Sequence, residues 1–200
     1  PEKPGYMTGS MLDADHSGDL DCFYCVGGNF LETMPDPKWV QTALENIPIR
    51  VHQDIFVTSQ MLTEPGEMTL LLPATTRYEM PGGATETTTE RMVIFNPEIS
   101  GPRIGEARTE WETLVDLAQR VKPEAADKIH FENTAAIRQE IAAFCPDYDG
   151  IQYLSQQGDV FQWGGRSLCR EHFRTPSGKA QFLPVTPPEN EIPRGYYRVS

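Results

Sequence analysis

An α/β fold with an open parallel sheet is what this 200-residue sequence predicts, and three short apolar runs predict it. Cys22 to Val26 ends in Gly27-Gly28-Asn29, Ile49-Arg50-Val51 ends in His52-Gln53-Asp54, and Thr69 to Leu72 ends in Pro73-Ala74-Thr75. Each run stops at a polar or glycine-bearing tip, and a helical pattern separates the first two. Strand, helix and strand within about thirty residues form a βαβ unit, whose strands run parallel. Ligands of such a sheet lie at the carboxyl ends of its strands, so the three tips outline a mouth for a nucleotide-like group.

The elements follow in order. Residues 8–18 read as a short helix, with Met11, Leu12 and Ala14 on its apolar side and Gly18 as its stop. The first strand is 21–26. Asp36-Pro37 reads as an N-cap and first helical residue. Trp39, Val40, Ala43, Leu44 and Ile47 then recur at helical spacing until Pro48. The second strand is 49–56 and the third 68–72. Thr85, Thr87 and Thr89 alternate with Glu86, Thr88 and Glu90 ahead of Met92–Phe95, which predicts a strand ribbon. Pro97, Gly101, Pro102 and Gly105 mark a loop. Thr109-Glu110-Trp111-Glu112 is a capping box opening a helix with an apolar stripe through Trp111, Leu114, Val115, Ala118 and Val121. Thr134 to Phe144 carries another stripe, through Ile137, Ile141 and Phe144, and Tyr148–Gln156 reads as a short helix. Phe161-Gln162-Trp163 is strand-like, and two strand-like pieces flank Pro176-Ser177-Gly178, a hairpin signal within Phe173–Phe182. Pro184, Pro187, Pro188 and Pro193 mark a linker before Gly195–Ser200.

The net charge is −12, from 29 acidic and 17 basic residues. A nucleic-acid binder needs a basic face, and none is visible. No apolar run approaches the roughly eighteen residues of a membrane-crossing helix. No charged-then-apolar leader is present, which in a fragment says nothing of the parent; the expected setting is cytoplasmic. The chain opens at Pro1 and closes on what looks like the start of another strand, which reads as an excised fragment.

Cys22 and Cys25 form a C-x-x-C, which allows a zinc or redox pair. Both lie inside the first apolar run, where an offset of three puts them on opposite faces of a strand. Neither His16, His52, His130 nor His172 stands at ligand spacing. Buried, reduced thiols are the preferred reading, for Cys145 and Cys169 as well.

Chemistry is sparse. Gly27 and Gly28 allow a sharp turn and a close backbone approach to a ligand, and Asn29 and Thr33 add polar groups. A tight turn without a ligand needs the same residues, and the pattern is not G-x-G-x-x-G. Gln53-Asp54, at the second strand's end, can accept from a ribose or a base edge. Glu79 serves either as an acid or base or, preferably, as a partner for a backbone turn. No nucleophile arrangement and no paired carboxylates stand out.

Read in order, Tyr24–Thr33, Arg50–Ile55, Leu71–Glu79, Thr87–Arg91, Thr109–Trp111, Ile137–Ile141, Phe161–Trp163 and Phe173–Phe182 resemble the catalytic subunit of molybdopterin-dependent oxidoreductases, most of all the formate dehydrogenase alpha-subunit branch. The resemblance implies a three-layer, Rossmann-like parallel-sheet domain that binds a molybdopterin guanine dinucleotide, with an α+β extension. Residues 1–74 fall in the dinucleotide-binding domain. Residues 75–185 resemble part of a metal-proximal domain, and 186–200 a linker to a C-terminal barrel. It also implies a longer parent holding molybdenum or tungsten and a 4Fe-4S cluster, which passes two electrons from a small substrate, formate by family, to an electron-acceptor subunit.

Position by position, the resemblance gives cofactor contacts to Gly27, Gly28, Asn29, Thr33, Gln53, Asp54, Ala74 and Glu110, with Ala74 acting through its backbone. Glu110 stands where some relatives have Asp, and Gly66-Glu67-Met68 replaces an Ala-Asp pair. The family's cluster cysteines and metal ligand have no counterpart here, so no catalytic residue and no metal ligand are assigned, and the fragment is expected to carry no cofactor by itself. The alternative is a stand-alone, non-catalytic nucleotide-binding or interaction module.

Overall fold

The computed structural model describes residues 5–165, 173–186, 195 and 197. The chain falls into two units, Pro1–Trp163 and Gly164–Ser200. The architecture is mixed α/β, with one parallel and one antiparallel three-stranded sheet.

Helix α1 spans Thr8–Ser17. Gly18 ends it as expected, at φ 73°, a left-handed conformation that costs a side-chain-bearing residue energy. Strand β1 (Cys22–Val26) leads through a single turn, α2 (Phe30–Thr33), to α3 (Pro37–Asn46). The Asp36 side chain accepts from the Trp39 N–H at 3.2 Å and caps α3, as the sequence predicts. Strands β2 (Ile49–Asp54) and β3 (Met68–Pro73) complete the sheet β1-β2-β3, parallel throughout. The second strand stops two residues short of the expectation. Asp54 Oδ1 accepts from the next N–H, that of Ile55, at 2.7 Å, and Ile55 and Phe56 turn out to solvent.

Register and alternation set Phe23, Cys25, Arg50, His52, Thr69 and Leu71 on one face of this sheet. Against it pack Leu12, Val40, Ala43, Leu44 and Ile47, all buried. The predicted α3 stripe is therefore the core face, except that Trp39 stays exposed and stacks on His16 at 3.4 Å between ring centres. Cys25 is buried as expected, but Cys22, on the opposite face of the strand, and Cys145 are exposed, against the expectation of buried thiols. The other face holds Val26, Ile49, Met68 and Leu70, each more than a third exposed. Parallel sheets usually bury both faces.

Arg50, itself fully buried, fastens the long β2–β3 connection to the sheet. Its guanidinium donates to the hydroxyl and carbonyl of Thr63, to the carbonyl of Glu64 and to the hydroxyl of Thr69. A short rung not expected from the sequence continues the sheet beyond β3. Arg108 N–H donates to Pro73 O and Thr75 N–H to Arg108 O, both at 3.1 Å.

The ribbon of the second sheet is β4 (Ala84–Thr87) with β5 (Met92–Asn96), antiparallel, and β6 (Val160–Gln162) adds to β5. Val93 and Phe95 pack with Ile151 and Leu154. Helix α5 (Thr134–Phe144) lies against them through half-buried Ile141, but its most buried members are Thr134 and Arg138 rather than the apolar stripe. Phe144, expected in that stripe, is exposed.

Helix α4 (Glu110–Val121) carries its capping box, with Thr109 and Glu112 bonded reciprocally, but none of its stripe is fully buried. Leu114 and Val121 are exposed because no described residue covers them. Thr109→Ala is expected to cost about 1 kcal/mol, read as a lower urea midpoint at unchanged slope.

Tyr148–Gln156 is not one helix. Two 3-10 turns, Pro146–Tyr148 and Ile151–Tyr153, flank Gly150 at φ 125°, a backbone no helix accepts. The hairpin expected around Pro176-Ser177-Gly178 is a turn, closed by Gly178 N–H on Thr175 O at 2.9 Å, and among the described residues no strands flank it. Phe182 and Leu183 lie exposed. Cys169, His172, Pro187, Pro188, Pro193 and most of Gly195–Ser200 fall outside the described residues.

Candidate functional site

The parallel register brings the three tips to one end of the sheet. Gly27 and Gly28 take φ values of 66° and 80°, and a Cβ added to either would meet nothing within 4 Å. Backbone is thus bared to open space at the carboxyl end of β1, and only glycine holds that conformation without strain. The tip stays in the ladder, since Gly27 N–H donates to Gln53 O at 2.8 Å.

The 3-10 turn Ser59–Leu62 holds this tip from the side. Gln60, fully buried, accepts from Phe30 N–H at 2.8 Å and donates to Gly28 O at 2.9 Å. Asn29 Nδ2 donates to Ser59 Oγ at 2.9 Å, which in turn donates to Glu32 at 2.6 Å. Among the described residues Asn29 Oδ1 is buried without a donor, and so is the hydroxyl oxygen of Thr58. Thr33 donates its hydroxyl to Asn29 O at 2.7 Å and serves the turn of α2.

Gln53 is shut in. Its Oε1 accepts from the Tyr24 hydroxyl at 2.6 Å and its Nε2 donates to Thr113 Oγ1 at 3.0 Å, so one amide joins β1, β2 and α4. Glu110 lies near the same spot: burial first, and its negative charge second, push the Tyr24 pKa up and keep the phenol protonated. Asp54 is half-buried, with Oδ1 engaged by Ile55 N–H and no bond to Oδ2 among the described residues. Ala74 is buried, and its N–H donates to Asp54 O at 2.9 Å. Beside it the buried Thr75 hydroxyl has no partner among the described residues. Glu79 accepts from the N–H and hydroxyl of Thr76 at 2.8 and 2.9 Å, which is the turn role preferred from the sequence. Those bonds draw its pKa down.

His52 lies behind the mouth, buried, with neither ring nitrogen bonded among the described residues. Burial first and the charge of Arg50 second lower its pKa, with Asp54 opposing, so the ring stays neutral. With Asp54, Ile55, Phe56, Met61 and Leu72 it lines a cavity of about 210 Å³. The structure thus gathers Gly27, Gly28, Asn29, Gln53, Asp54 and Ala74 at one end of the sheet. Sequence reasoning placed Thr75 at a strand tip but missed Thr58, Gln60 and Thr113, which lie outside the apolar runs and their tips. Among the described residues no cluster of three or more His, Cys, Asp or Glu could hold a metal ion.

No protein-family model matches the chain. Individual relatives do. It is 31% identical over 86% of its length to the F420-dependent formate dehydrogenase subunit alpha of Methanocaldococcus jannaschii, covering 25% of that protein. It is 26% identical over 92% of its length to formate dehydrogenase H of Escherichia coli, covering 26% of it. It is 28% identical over 90% of its length to a nitrate reductase of Synechocystis, covering 27% of it. The proteins that this α/β chain resembles are oxidoreductases, formate dehydrogenase alpha subunits among them. The chain spans roughly a fifth to a quarter of the relatives it matches, from 18% to 27% of their length.

Proposed function

We propose that this chain forms one wall of a pterin guanine dinucleotide site in a longer oxidoreductase. The observation that carries the reading is the bared Gly27-Gly28 backbone beside the unbonded Asn29 Oδ1, at the carboxyl end of a parallel strand. Asp54 stands at the next strand end with one free carboxylate oxygen, placed to accept from the ring N–H and amino group of a guanine. Gln53 and Ala74 act at second hand: Gln53 pins β1 to α4, and Ala74 fixes the end of β3 against β2. Glu110 steadies the Tyr24 hydroxyl that anchors Gln53, and Thr33 shapes the turn after the tip.

When bound, the cofactor would supply the two-electron chemistry at its metal. This chain's own residues orient its nucleotide end and exclude water from the strand tips. Residues 1–74 supply that wall in a Rossmann-like domain, and 75–185 the support that runs toward the metal. Formate is the substrate the relatives' names suggest, a 4Fe-4S cluster elsewhere in the parent would relay electrons, and another subunit would receive them. The setting is cytoplasmic. Cys22, Cys25 and Cys145 are free thiols, which persist where the surroundings are reducing. Among the described residues no helix is long and apolar enough to cross a membrane.

The test is a titration of the ¹⁵N-labelled 200-residue chain with GMP, followed by NMR. A wall without its opposite side binds weakly, with Kd near about 1 mM. Saturable shifts are expected at the Gly27, Gly28 and Asn29 amides, and Asp54→Asn should weaken binding roughly tenfold, the worth of a hydrogen bond to a charged group. Equal response to AMP, or shifts confined elsewhere, would refute the assignment.

A further inference from the structure

Strand β1 is an edge of the parallel sheet, since the strand order is β1-β2-β3. Two bonds fix which of its groups face β2: Ile49 N–H donates to Asp21 O at 3.3 Å, and Gly27 N–H to Gln53 O at 2.8 Å. Backbone groups alternate sides along a strand, so Asp21, Phe23, Cys25 and Gly27 bond toward β2. Cys22, Tyr24 and Val26 therefore point their N–H and C=O groups outward. Among the described residues nothing bonds to these donors and acceptors.

The outward row meets a groove. A cavity of about 380 Å³ is lined by every residue from Cys22 to Gly27, flanked by Tyr6, Met11 and Phe30. Phe23 and Cys25 lie on one face of the sheet, and Cys22, Tyr24 and Val26 on the other. Residues of both faces can wall one cavity only along the edge of the strand. Met11 and Phe30 pack on the core beside Phe23 and overhang the groove from that side. No charged side chain lines it. Proteins blunt an open edge with charge or proline, and Cys-Phe-Tyr-Cys-Val has neither. The opposite edge, on β3, is partly closed by the Arg108 rung.

We propose that an extended segment of the longer protein, from outside these 200 residues, adds to β1 as a further strand. It pairs with the outward groups of Cys22, Tyr24 and Val26 over about five residues, or about 16 Å. Its side chains are uncharged, and those on the Met11 and Phe30 side are apolar. The chain spans 18% to 27% of the relatives it matches, so most of a protein of that length lies elsewhere and can supply the strand. Two copies joined antiparallel by this edge would crowd two sets of Met11 and Phe30 onto one side of the joint, whereas a single strand meets one set. The proposal rests on the reading of this chain as part of a longer protein and is independent of the nucleotide.

The experiment is amide hydrogen exchange, resolved to single residues by fragmentation in the mass spectrometer. It compares the 200-residue chain with the full-length protein encoded by its gene, both without added nucleotide. In the short chain Phe23, Cys25 and Gly27 should exchange at least roughly a hundredfold more slowly than Cys22, Tyr24 and Val26. In the full-length protein those last three should slow by a similar factor. Slowing at fewer than all three overturns the proposal, as does a gene that encodes no further chain. Slowing already present in the short chain, with a dimer in sedimentation, overturns it in favour of a second copy. No nucleotide takes part, so failure here leaves the strand-tip assignment to the GMP titration.

Discussion

Asp15→Asn is expected to stabilise the fold by about 2 kcal/mol at pH 8 and to leave it nearly unchanged at pH 4. Asp15 is 1% exposed on the buried side of α1, and neither carboxylate oxygen has a hydrogen-bond partner among the described residues. Burial raises its pKa from 3.8 to about 6, against the opposing charge of His16. The folded protein therefore holds a proton that the unfolded chain has released across that interval. Below pH 3.8 both states are protonated and the side chain costs little. Stability falls as pH rises through the window and levels off above about 6. The gap between the two values corresponds to about 3 kcal/mol, and an unbonded amide in the same place retains a cost of about 1 kcal/mol. Urea denaturation of both proteins at pH 4, 6 and 8 reads this directly. A difference that does not change with pH would rule out the carboxylate as its source.

Gly83→Ala is expected to cost about 3 kcal/mol or more. Gly83 precedes β4 at φ 75°, and a Cβ there would overlap the edge of the Phe95 ring and come within 2.8 Å of Asn96 O. The left-handed backbone alone costs a side-chain-bearing residue about 1–2 kcal/mol, and overpacking adds about 1–3 kcal/mol. The neighbours cannot yield cheaply, because Phe95 is a core residue under Arg138 and the Thr134 hydroxyl donates to Gly83 O. Gly158→Ala separates the two contributions: its φ is 93°, but a Cβ there meets nothing within 4 Å, so only the backbone cost of about 1–2 kcal/mol should appear. Equal losses in the two variants, measured by urea midpoint, would show that packing against Phe95 contributes nothing.

Most of the parallel half was legible in the sequence, because local signals and burial agree there. The β1 run, the Asp36-Pro37 cap and the Val40–Leu44 stripe each specify an element that tertiary packing then uses. The α4 and α5 stripes misled for a physical reason: periodicity reports which face a helix can bury, not whether anything lies opposite it. Leu114 and Val121 find no cover among the described residues, and on α5 a buried position went to Arg138, which no apolar pattern reveals. The glycine tip was readable from composition alone. That Gln53 would turn inward was not, since its partners Tyr24 and Thr113 sit twenty-nine and sixty residues away.

The sheet's bare side has a calorimetric consequence. Unfolding usually raises the heat capacity by about 12–15 cal/mol/K per residue, because apolar surface passes from a dry interior into water. Val26, Ile49, Met68 and Leu70 are wet already, so their share of that increment is small. A smaller increment flattens the dependence of stability on temperature, so cold and warmth alter this chain less than a fully enclosed fold of its length.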